Sequence, residues 1–336
     1  MRVLVCLPGP NFSVADVANG WVKALSKVAE VSTFDVGGRM GWYEKSLRQQ
    51  VPDEDRRKFD SAHMMAEDLR AACYDTWPDV VVVVSSFFIP KHTYEVLRAR
   101  GHKIVVLFTE SPYEDPSQQL IAAHADLAVL NDPTNLEAFR QVTDAIYLPH
   151  AYDPDIHHPR PAREQYRSDF CFVGTGYPSR IKFFEQCDFR GIDVALAGNW
   201  QELTDASPLR KYVAHDIDAC IDNSEAVHLY ASTKASANIY RVEAASPDHV
   251  EGWAMGPREV ELAACGTFYL TQQRGENREV LPMVPTFEDP VDLSEQLRFW
   301  LARDDARQKV AEGARAAIAD RTFDNHAAQM LRTLGV

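Results

Sequence analysis

The chain of 336 residues is longer than one hydrophobic core usually supports, which predicts two domains. Hydrophobic residues make up 46% and charged residues 25%, as in an ordinary globular protein rather than a disordered one. A formal net charge of −14 argues against a protein that coats nucleic acid through phosphate contacts. It leaves open a local basic surface that reads one phosphate group or one extruded base.

No apolar run reaches the roughly 20 residues that span a bilayer. The apolar start, residues 1–7, lacks a small-residue cleavage site and turns into Pro8-Gly9-Pro10, so it predicts a buried strand rather than a signal peptide. The six cysteines form no close pairs, which indicates neither a disulfide framework nor a zinc knuckle. We therefore expect a cytoplasmic protein without a membrane span.

The first half alternates short apolar runs with segments long enough for crossover helices. Five consecutive valines, Val80–Val84, are bounded by turn residues, which is typical of a strand buried on both faces. The alternation predicts a doubly wound parallel sheet. The predicted strands are 3–7, 31–36, 80–84, 104–109, 127–130 and 146–148, with an amphipathic helix at 14–29.

Residues 153–167 break this rhythm with three prolines, two histidines and no apolar period, and we place an interdomain linker there. The chain then divides into a first Rossmann-like domain (1–152), the linker, a second Rossmann-like domain (168–320) and a C-terminal segment (321–336). In the second half we predict strands at 170–173, 194–197, 237–240 and 267–271, and helices at 179–187, 225–230, 257–264, 291–302, 306–318 and 323–334.

Ligands of open parallel sheets bind beyond the carboxyl ends of the strands, so the residues that follow each strand are candidates. The turn after the first strand, 8–13, contains Gly9, which would let a ligand approach the amides at a helix start. A plain turn capped by Ser13 is the alternative. The turn lacks the Gly-x-Gly-x-x-Gly spacing of dinucleotide enzymes, which counts against an NAD-dependent oxidoreductase.

A second candidate is the segment 109–114, which directly follows a predicted buried strand. A carboxylate at such a strand end can take a proton from an acceptor hydroxyl when desolvation tunes its pKa. Glu110 is therefore the candidate catalytic base. A capped turn with Pro112 at the start of the next helix is the alternative.

The third candidate is the loop Gly174-Thr175-Gly176 with Arg180 and Lys182 one helical turn further on. Small residues with exposed amides at a helix start can cradle a diphosphate, and the basic side chains supply charge to its oxygens. A surface helix with solvated basic side chains is the alternative.

The fourth candidate is the segment 256–267, in which Arg258 and Glu261 lie three residues apart and hence on one helical face. The carboxylate can accept hydrogen bonds from paired ribose hydroxyls, and the arginine can meet a phosphate or a sugar. An ion pair within a solvated helix is the alternative.

These segments resemble a known family. Glu261–Gly266 resembles the "Glu, small residues, Ala-Cys-Gly" signature of glycosyltransferases with the B-type fold, in particular the CgeB-like group related to spore-maturation proteins and to actinobacterial and phage glycosyltransferases. Phe172–Gly176 resembles the glycine loop of that group, Tyr147–Pro154 its interdomain crossing, and Arg321–Phe323 the start of its final helix. The similarity extends over most of the chain and is densest from 145 to 325.

The resemblance implies two Rossmann-like domains that face a cleft, and transfer of a sugar from a nucleotide diphosphate donor, expected to be a UDP-sugar, held mainly by the second domain. Glu261 would hold the ribose, and Arg180 and Arg258 would face the diphosphate. Asn199 and Tyr240 would lie near the nucleotide. The final helix would cross back onto the first domain.

One position departs from the family pattern. Retaining relatives often carry a second glutamate eight positions before the one that matches Glu261, and this sequence has Trp253 there. Glu251 lies close by, on a long loop predicted from Val242 to Met255, and could replace it. The contacts to the donor sugar and the stereochemistry therefore stay open, with retention favoured.

We expect neither a cofactor nor a metal, because helix amides and basic side chains can stabilise the leaving diphosphate. Asp153–Asp155 and Asp216–Asp218 mimic a metal-binding Asp-x-Asp, but their places in the linker and beside a loop favour turns. His157 and His158 lack obvious partners for zinc.

Three functions stay open at this stage. The first is a glycosyltransferase, of the hexosyltransferase type, that acts on an acceptor hydroxyl. The others are a nucleotide-sugar epimerase of the same fold and a non-catalytic nucleotide-sugar-binding protein, which the departure at Trp253 favours.

The acceptor and the oligomeric state stay open too. A glycan, a small molecule, a protein or a hydroxymethylated DNA base could be the acceptor, and the acidic net charge ranks modified DNA below the others. The acceptor segments of the first domain, 37–56 and the Glu110 turn, show no decisive chemistry. If the chain is phage-encoded, its compartment is the cytoplasm of the infected host.

Overall fold

The computed structural model describes residues 1–9, 14–51, 60–85, 87–242 and 251–336. These residues divide into two compact units. Residues 1–149, 251–252 and 323–336 belong to the first, and residues 150–242 and 253–322 to the second. The segment that the sequence predicts as a linker, 153–167, thus lies in the second unit.

The first unit contains a six-stranded parallel sheet. Its strands are β1 (Arg2–Cys6), β2 (Glu30–Phe34), β3 (Val80–Val84), β4 (Lys103–Phe108), β5 (Leu127–Leu130) and β6 (Ala145–Tyr147), in the spatial order β2-β1-β3-β4-β5-β6. Val82 pairs with Val5 on one side and Val105 on the other. All five valines of β3 are buried, because helices cover both faces of a parallel sheet.

Helices connect the strands of the first unit. They are α1 (Ala15–Ser26), α2 (Val36–Gln50), α3 (Ser61–Thr76), α4 (Lys91–Ala99), α5 (Asp115–Ala122) and α6 (Leu136–Arg140). Two of them begin at aspartate caps: the Asp35 carboxylate accepts the Gly38 amide at 2.8 Å, and Asp60 accepts the Ala62 amide at 2.8 Å. These bonds satisfy amides that the helix itself leaves without a partner.

The second unit is built on a four-stranded parallel sheet. Its strands are β7 (Ser168–Val173), β8 (Val194–Ala197), β9 (Thr233–Asn238) and β10 (Tyr269–Thr271), in the order β10-β9-β7-β8. Its helices are α7 (Pro178–Glu185), α8 (Asn223–Ser232), α9 (Pro257–Ala264), α10 (Gly275–Val280), α11 (Pro290–Leu301) and α12 (Asp304–Ala317), with short 3-10 turns at Glu164–Tyr166 and Arg210–Tyr212.

Alternate residues of β7 face two different cores. Phe170 and Phe172 pack with Phe184 and Trp200 on one face, whereas Cys171 and Val173 join the core on the other face. This period of two residues is the strand repeat, and it explains why the run is apolar throughout.

The last helix, α13 (Phe323–Leu334), belongs to the first unit and packs on α1. The Phe323 ring meets Trp21 edge to face, with centroids 6.2 Å apart. Gly20 leaves room for this ring, since a Cβ there would lie 2.4 Å from it. Lys27 and Asp324 form an ion pair at 2.7 Å.

The α/β fold with two Rossmann-like units, predicted from the alternation of elements, is confirmed. The predicted bounds of β8, α9 and α13 agree with the structure, but the strand predicted at 237–240 is wrong in extent, because β9 runs from Thr233 to Asn238. The start of this strand was missed because β9 contains polar residues. One of them, Ser236, is buried and donates to the Cys171 carbonyl at 2.8 Å.

All six cysteines are free thiols. Across the described part of the chain, none of the helices combines the length and the apolar character that crossing a bilayer requires.

Candidate functional site

The strand order of the second sheet reverses between β7 and β9. The chain continues from β7 to β8 on one side and returns to β9 on the other, and ligands of such sheets bind at the carboxyl ends of the strands at this point. The residues that follow the four strands are 174–176, 198–199, 239–240 and 272–274, and we call them the second-sheet edge.

The loops after β7 and β8 touch along their backbones. The Gly174 amide donates to the Ala197 carbonyl at 2.9 Å. Gly198 has a φ of +109°, and a Cβ there would lie 2.5 Å from the Gly174 carbonyl oxygen. Only glycine fits this approach without strain.

Gly176 is likewise required by packing. Its amide donates to the Asn199 carbonyl at 2.8 Å, and a Cβ there would lie 2.3 Å from the buried Trp200 ring. The structure therefore brings the predicted donor-binding residues Gly174, Gly176 and Asn199 together. Gly176, together with Gly198 of the neighbouring loop, has a packing role whether or not a ligand is bound.

Arg180 connects the loops on both sides of the reversal point. Its Nη1 donates to the Thr175 carbonyl at 3.1 Å, and its Nη2 donates to the Ile239 carbonyl at 2.5 Å. The guanidinium also lies over the Tyr177 ring, 5.2 Å from its centroid. Lys182 is exposed and lies about 200° further round the same helix, so the structure does not bring it together with Arg180.

Tyr240 is held at the second-sheet edge from three directions. Its amide donates to Gln272 Oε1 at 2.9 Å, its hydroxyl donates to Glu259, and the Arg274 guanidinium stacks on its ring at 3.6 Å from the centroid. Arg274 also donates to the Ala254 carbonyl at 2.9 Å. The edge thus carries an aromatic ring and a fixed positive charge in contact.

Glu259 is buried beneath this ring, with 0% of its surface exposed. Besides the Tyr240 hydroxyl, its carboxylate accepts Asn238 Nδ2 at 3.2 Å, Asn277 Nδ2 at 3.2 Å and the Gly256 amide at 3.4 Å. Burial raises the pKa of the Glu259 carboxyl to about 7, although the hydrogen bonds it accepts act in the opposite direction.

Sequence reasoning did not single out Glu259. The one signal was its place three residues after Gly256 and before a helical run, which is the spacing of the returning half of a capping box. Its other partners come from elements far away in the sequence.

Arg258 and Glu261 form an ion pair at 2.7 Å on one face of α9. Arg258 also donates to the Tyr230 hydroxyl on α8, and only 12% of the Glu261 side chain is exposed. The spacing of these two residues also allowed an ion pair within the helix as the alternative to ligand binding. The structure contains this ion pair, and its two side chains are partly buried. Burial lowers the pKa of the neighbouring His157, and the Glu261 charge opposes that shift.

In the first unit, the structure describes Gly9 and Glu110 but not residues 10–13, so the Ser13 cap and most of that turn lie outside the described residues. A Cβ on Gly9 would lie 1.9 Å from the Phe88 ring, which gives this glycine a packing role. Glu110 is half-buried in the turn after β4, where its carbonyl accepts the Tyr113 amide at 2.9 Å.

A buried carboxylate that sequence reasoning missed lies at the same edge of the first sheet. Asp115 accepts Ser111 Oγ at 3.1 Å and Asn135 Nδ2 at 2.8 Å. Burial raises its pKa. The sequence offered no signal for it beyond its place at a helix start.

The two Asp-x-Asp segments form turns. Asp153 accepts the Asp155 amide at 2.9 Å, and Asp216 accepts the Asp218 amide at 3.2 Å. Within the described ranges, no three His, Cys, Asp or Glu side chains are grouped so that they could hold a metal ion.

The two Rossmann-like units are those of the B-type fold. The chain belongs to the glycosyl transferase-like family, whose sequence model matches residues 161–332. The predicted resemblance to B-type glycosyltransferases is thereby confirmed, and assignment to the CgeB-like group stays a prediction.

Three solved structures illustrate the likeness. Anabaena Alr3699/HepE in complex with UDP and glucose has a TM-score of 0.65 at 14% identity, over 100% of this chain and 99% of that one. Trehalose-6-phosphate synthase OtsA has a TM-score of 0.66 at 10% identity, over 100% and 99%. A putative UDP-N-acetylglucosamine 2-epimerase from Listeria monocytogenes has a TM-score of 0.64 at 11% identity, over 98% and 94%.

At such low identity these likenesses show the fold alone. A comparison with curated protein sequences finds no match.

Proposed function

We propose that this glycosyltransferase takes its sugar from a nucleotide diphosphate donor, a UDP-sugar, bound at the second-sheet edge. The observation that carries the proposal is Arg180, which joins the loops after β7 and β9 at the reversal point of the sheet. The edge lies within the part of the chain that matches the family. UDP and glucose are present in the Anabaena HepE structure of the same fold.

The diphosphate would lie at the start of α7. The amides of the first turn of a helix attract anions, and Pro178 begins this helix directly after the glycine loop. Arg180 would add positive charge there while its two carbonyl bonds hold the loops in place. Lys182 would contribute only by a change of rotamer, because it lies on another side of the helix.

The nucleoside would lie beside Asn199 and Tyr240. Glu261 would hold the ribose by sharing its carboxylate between the hydroxyls and Arg258, whose charge would face the diphosphate. We retain these roles as proposals, together with the CgeB-like relationship.

In the reaction the bond from the anomeric carbon to the diphosphate breaks and a bond to the acceptor oxygen forms. The diphosphate leaves with the bonding electron pair, and the helix amides and arginines stabilise its charge. The acceptor hydroxyl passes its proton to a base, for which we propose Glu110 of the first unit. Retention at the anomeric carbon is favoured.

The acceptor is a glycan, a small molecule, a protein or a hydroxymethylated DNA base, and the net charge of −14 ranks modified DNA last. The epimerase alternative has one specific support, the likeness to the Listeria epimerase. Labelled UDP-sugars incubated with and without these acceptors distinguish the functions. Acceptor-dependent release of UDP supports transfer, isomerisation without acceptor supports an epimerase, and binding without turnover supports a non-catalytic protein.

Replacing Arg180 with Ala tests the site directly. Loss of its charge and of two loop contacts should weaken UDP-sugar binding by roughly 1.5–3 kcal/mol, measured by isothermal titration calorimetry. Arg190→Ala is the control, because that side chain is 90% exposed and pairs only with Asp188 among the described residues. Equal affinities of the two variants for the UDP-sugar would show that the diphosphate does not bind at the start of α7.

A further inference from the structure

Among the described residues, the Tyr240 hydroxyl, two side-chain amides and one backbone amide donate to the Glu259 carboxylate. The Thr271 hydroxyl is a further hydrogen-bonding neighbour, and it donates to the Gln272 carbonyl at 3.1 Å. A carboxylate satisfies this arrangement with its lone pairs, whereas a protonated carboxyl group would also need an acceptor. The hydrogen bonds therefore favour the ionised form, in opposition to the burial of the carboxyl group.

Tyr240 is the partner that protonation would disturb. Its hydroxyl oxygen could accept a hydrogen bond from protonated Glu259 only if its own hydrogen turned away, and it already accepts Asn277 Nδ2 at 3.3 Å. The turned hydrogen would then need a new acceptor. Because Arg274 stacks on the same ring at 3.6 Å, a displaced ring would carry this cation with it.

We propose that Glu259 is the positioning residue of the second-sheet edge: as a carboxylate it holds Tyr240 and Arg274 where the nucleotide-sugar meets them, and on taking up a proton it releases them. This inference rests on the proposed function and adds to it a dependence of donor binding on pH. Glu259 acts through Tyr240 and itself makes no contact with the donor.

The direction of the pH dependence follows from the groups around the carboxylate. The titratable and charged groups around it are Tyr240 after β9 with Arg274 on its ring, and Tyr269 on β10 with Arg321 nearby. Arg321 is in turn paired to Glu276 at 2.7 Å. Burial raises the pKas of both tyrosines far above neutrality, so neither hydroxyl changes charge near pH 7, whereas burial brings the pKa of Glu259 to about 7. Donor affinity should therefore rise as pH rises through about 7.

Stability should change in the opposite direction. The folded-state pKa of about 7 lies above the ordinary value of 4.5, so the folded chain binds this proton more tightly than the unfolded chain does. Its contribution to stability is complete below the ordinary pKa and is lost as pH rises through the folded pKa. The ionised form that orders the edge is thus maintained at some cost to stability.

The test measures the affinity for UDP-glucose by calorimetry between about pH 6 and pH 8, since its diphosphate does not titrate in that range. Wild-type affinity should rise about tenfold, as the ionised fraction of a group with a pKa near 7 does. Glu259→Gln places an amide among the donors at every pH and should bind weakly and without pH dependence. Glu279→Gln, at an exposed position on α10, should keep the wild-type profile.

A wild-type profile that is flat, or a Glu259→Gln profile like that of the wild type, would overturn the inference while leaving the donor site in place. Absence of UDP-glucose binding at all pH values would instead reject the proposed function. If Glu259→Gln does not fold, Tyr240→Phe is the second variant: it removes the hydroxyl through which Glu259 acts, so UDP-glucose affinity should be low and should no longer change with pH. A Tyr240→Phe profile like that of the wild type would contradict the role of Glu259.

Discussion

The two glutamates of α9 have different surroundings although they lie two residues apart. Glu259 is surrounded by donors from β9, α10 and its own helix, whereas Glu261 shares its charge with Arg258. The spacing of Arg258 and Glu261 predicted their contact, because residues three apart meet on a helix. The surroundings of Glu259 could not be predicted, because Asn238 and Asn277 reach it only through the folding of the sheet.

Replacing Glu261 with Ala tests the ribose assignment. We expect turnover to fall below detection and UDP affinity to fall by roughly 1.5–3 kcal/mol, because a charge-assisted hydrogen bond to the ribose is lost. The fold should persist, since Arg258 keeps its bond to the Tyr230 hydroxyl. Activity assays and calorimetry measure both effects, with the exposed Glu295→Ala as the control. Near-normal turnover would show that Glu261 serves only the ion pair.

At the scale of elements, the strands that could be predicted from the sequence are those with a continuous apolar run. The valine run of β3 and the buried run of β8 were predicted with their observed ends, since burial on both faces leaves continuous apolar residues. β9 was misplaced because its buried serine and its polar first residues break that pattern. The order of the four strands could not be predicted, since it depends on contacts between distant segments.

The contact between the loops after β7 and β8 can be tested at Gly198. Alanine there would strain the backbone at a φ of +109° and would also press its Cβ against the Gly174 carbonyl. Gly191→Ala is the matched control: its φ is +75°, but a Cβ there meets nothing within 4 Å.

In chemical denaturation we expect Gly191→Ala to lose about 1 kcal/mol and Gly198→Ala at least about 2 kcal/mol more. The second variant should also bind UDP more weakly, because the clash displaces the glycine loop. Equal stability losses would mean that the two loops separate without cost.

At the scale of the whole molecule, the family match and the fold cover different extents. The family model matches residues 161–332, which lie mostly in the second unit, whereas the solved structures align over both units. The sequence signals were also densest in the second half, where glycine loops and a charged helix face follow the strands. The first unit offers a buried Asp115 and the Glu110 turn, whose chemistry depends on an acceptor that its residues do not specify.

Helix α13 belongs to the first unit, and replacing Phe323 tests how much this helix contributes to the stability of that unit. The Phe323 ring is 8% exposed and packs on Trp21 above Gly20, so alanine would leave a cavity that the glycine cannot fill. We expect the first unit to lose about 3–5 kcal/mol of unfolding free energy. Phe299→Ala, at a ring that is 49% exposed, should cost less than about 1 kcal/mol.

Hydrogen–deuterium exchange can assign this loss to one unit. In Phe323→Ala, peptides from β1 and α1 should exchange faster, while peptides from β7 and β9 should keep their wild-type rates, because Phe323 packs within the first unit. UDP affinity should stay at the wild-type value, since the second-sheet edge lies in the other unit. Faster exchange in both sheets together with weaker UDP binding would show instead that the two units fold as one cooperative body, with α13 stabilising both.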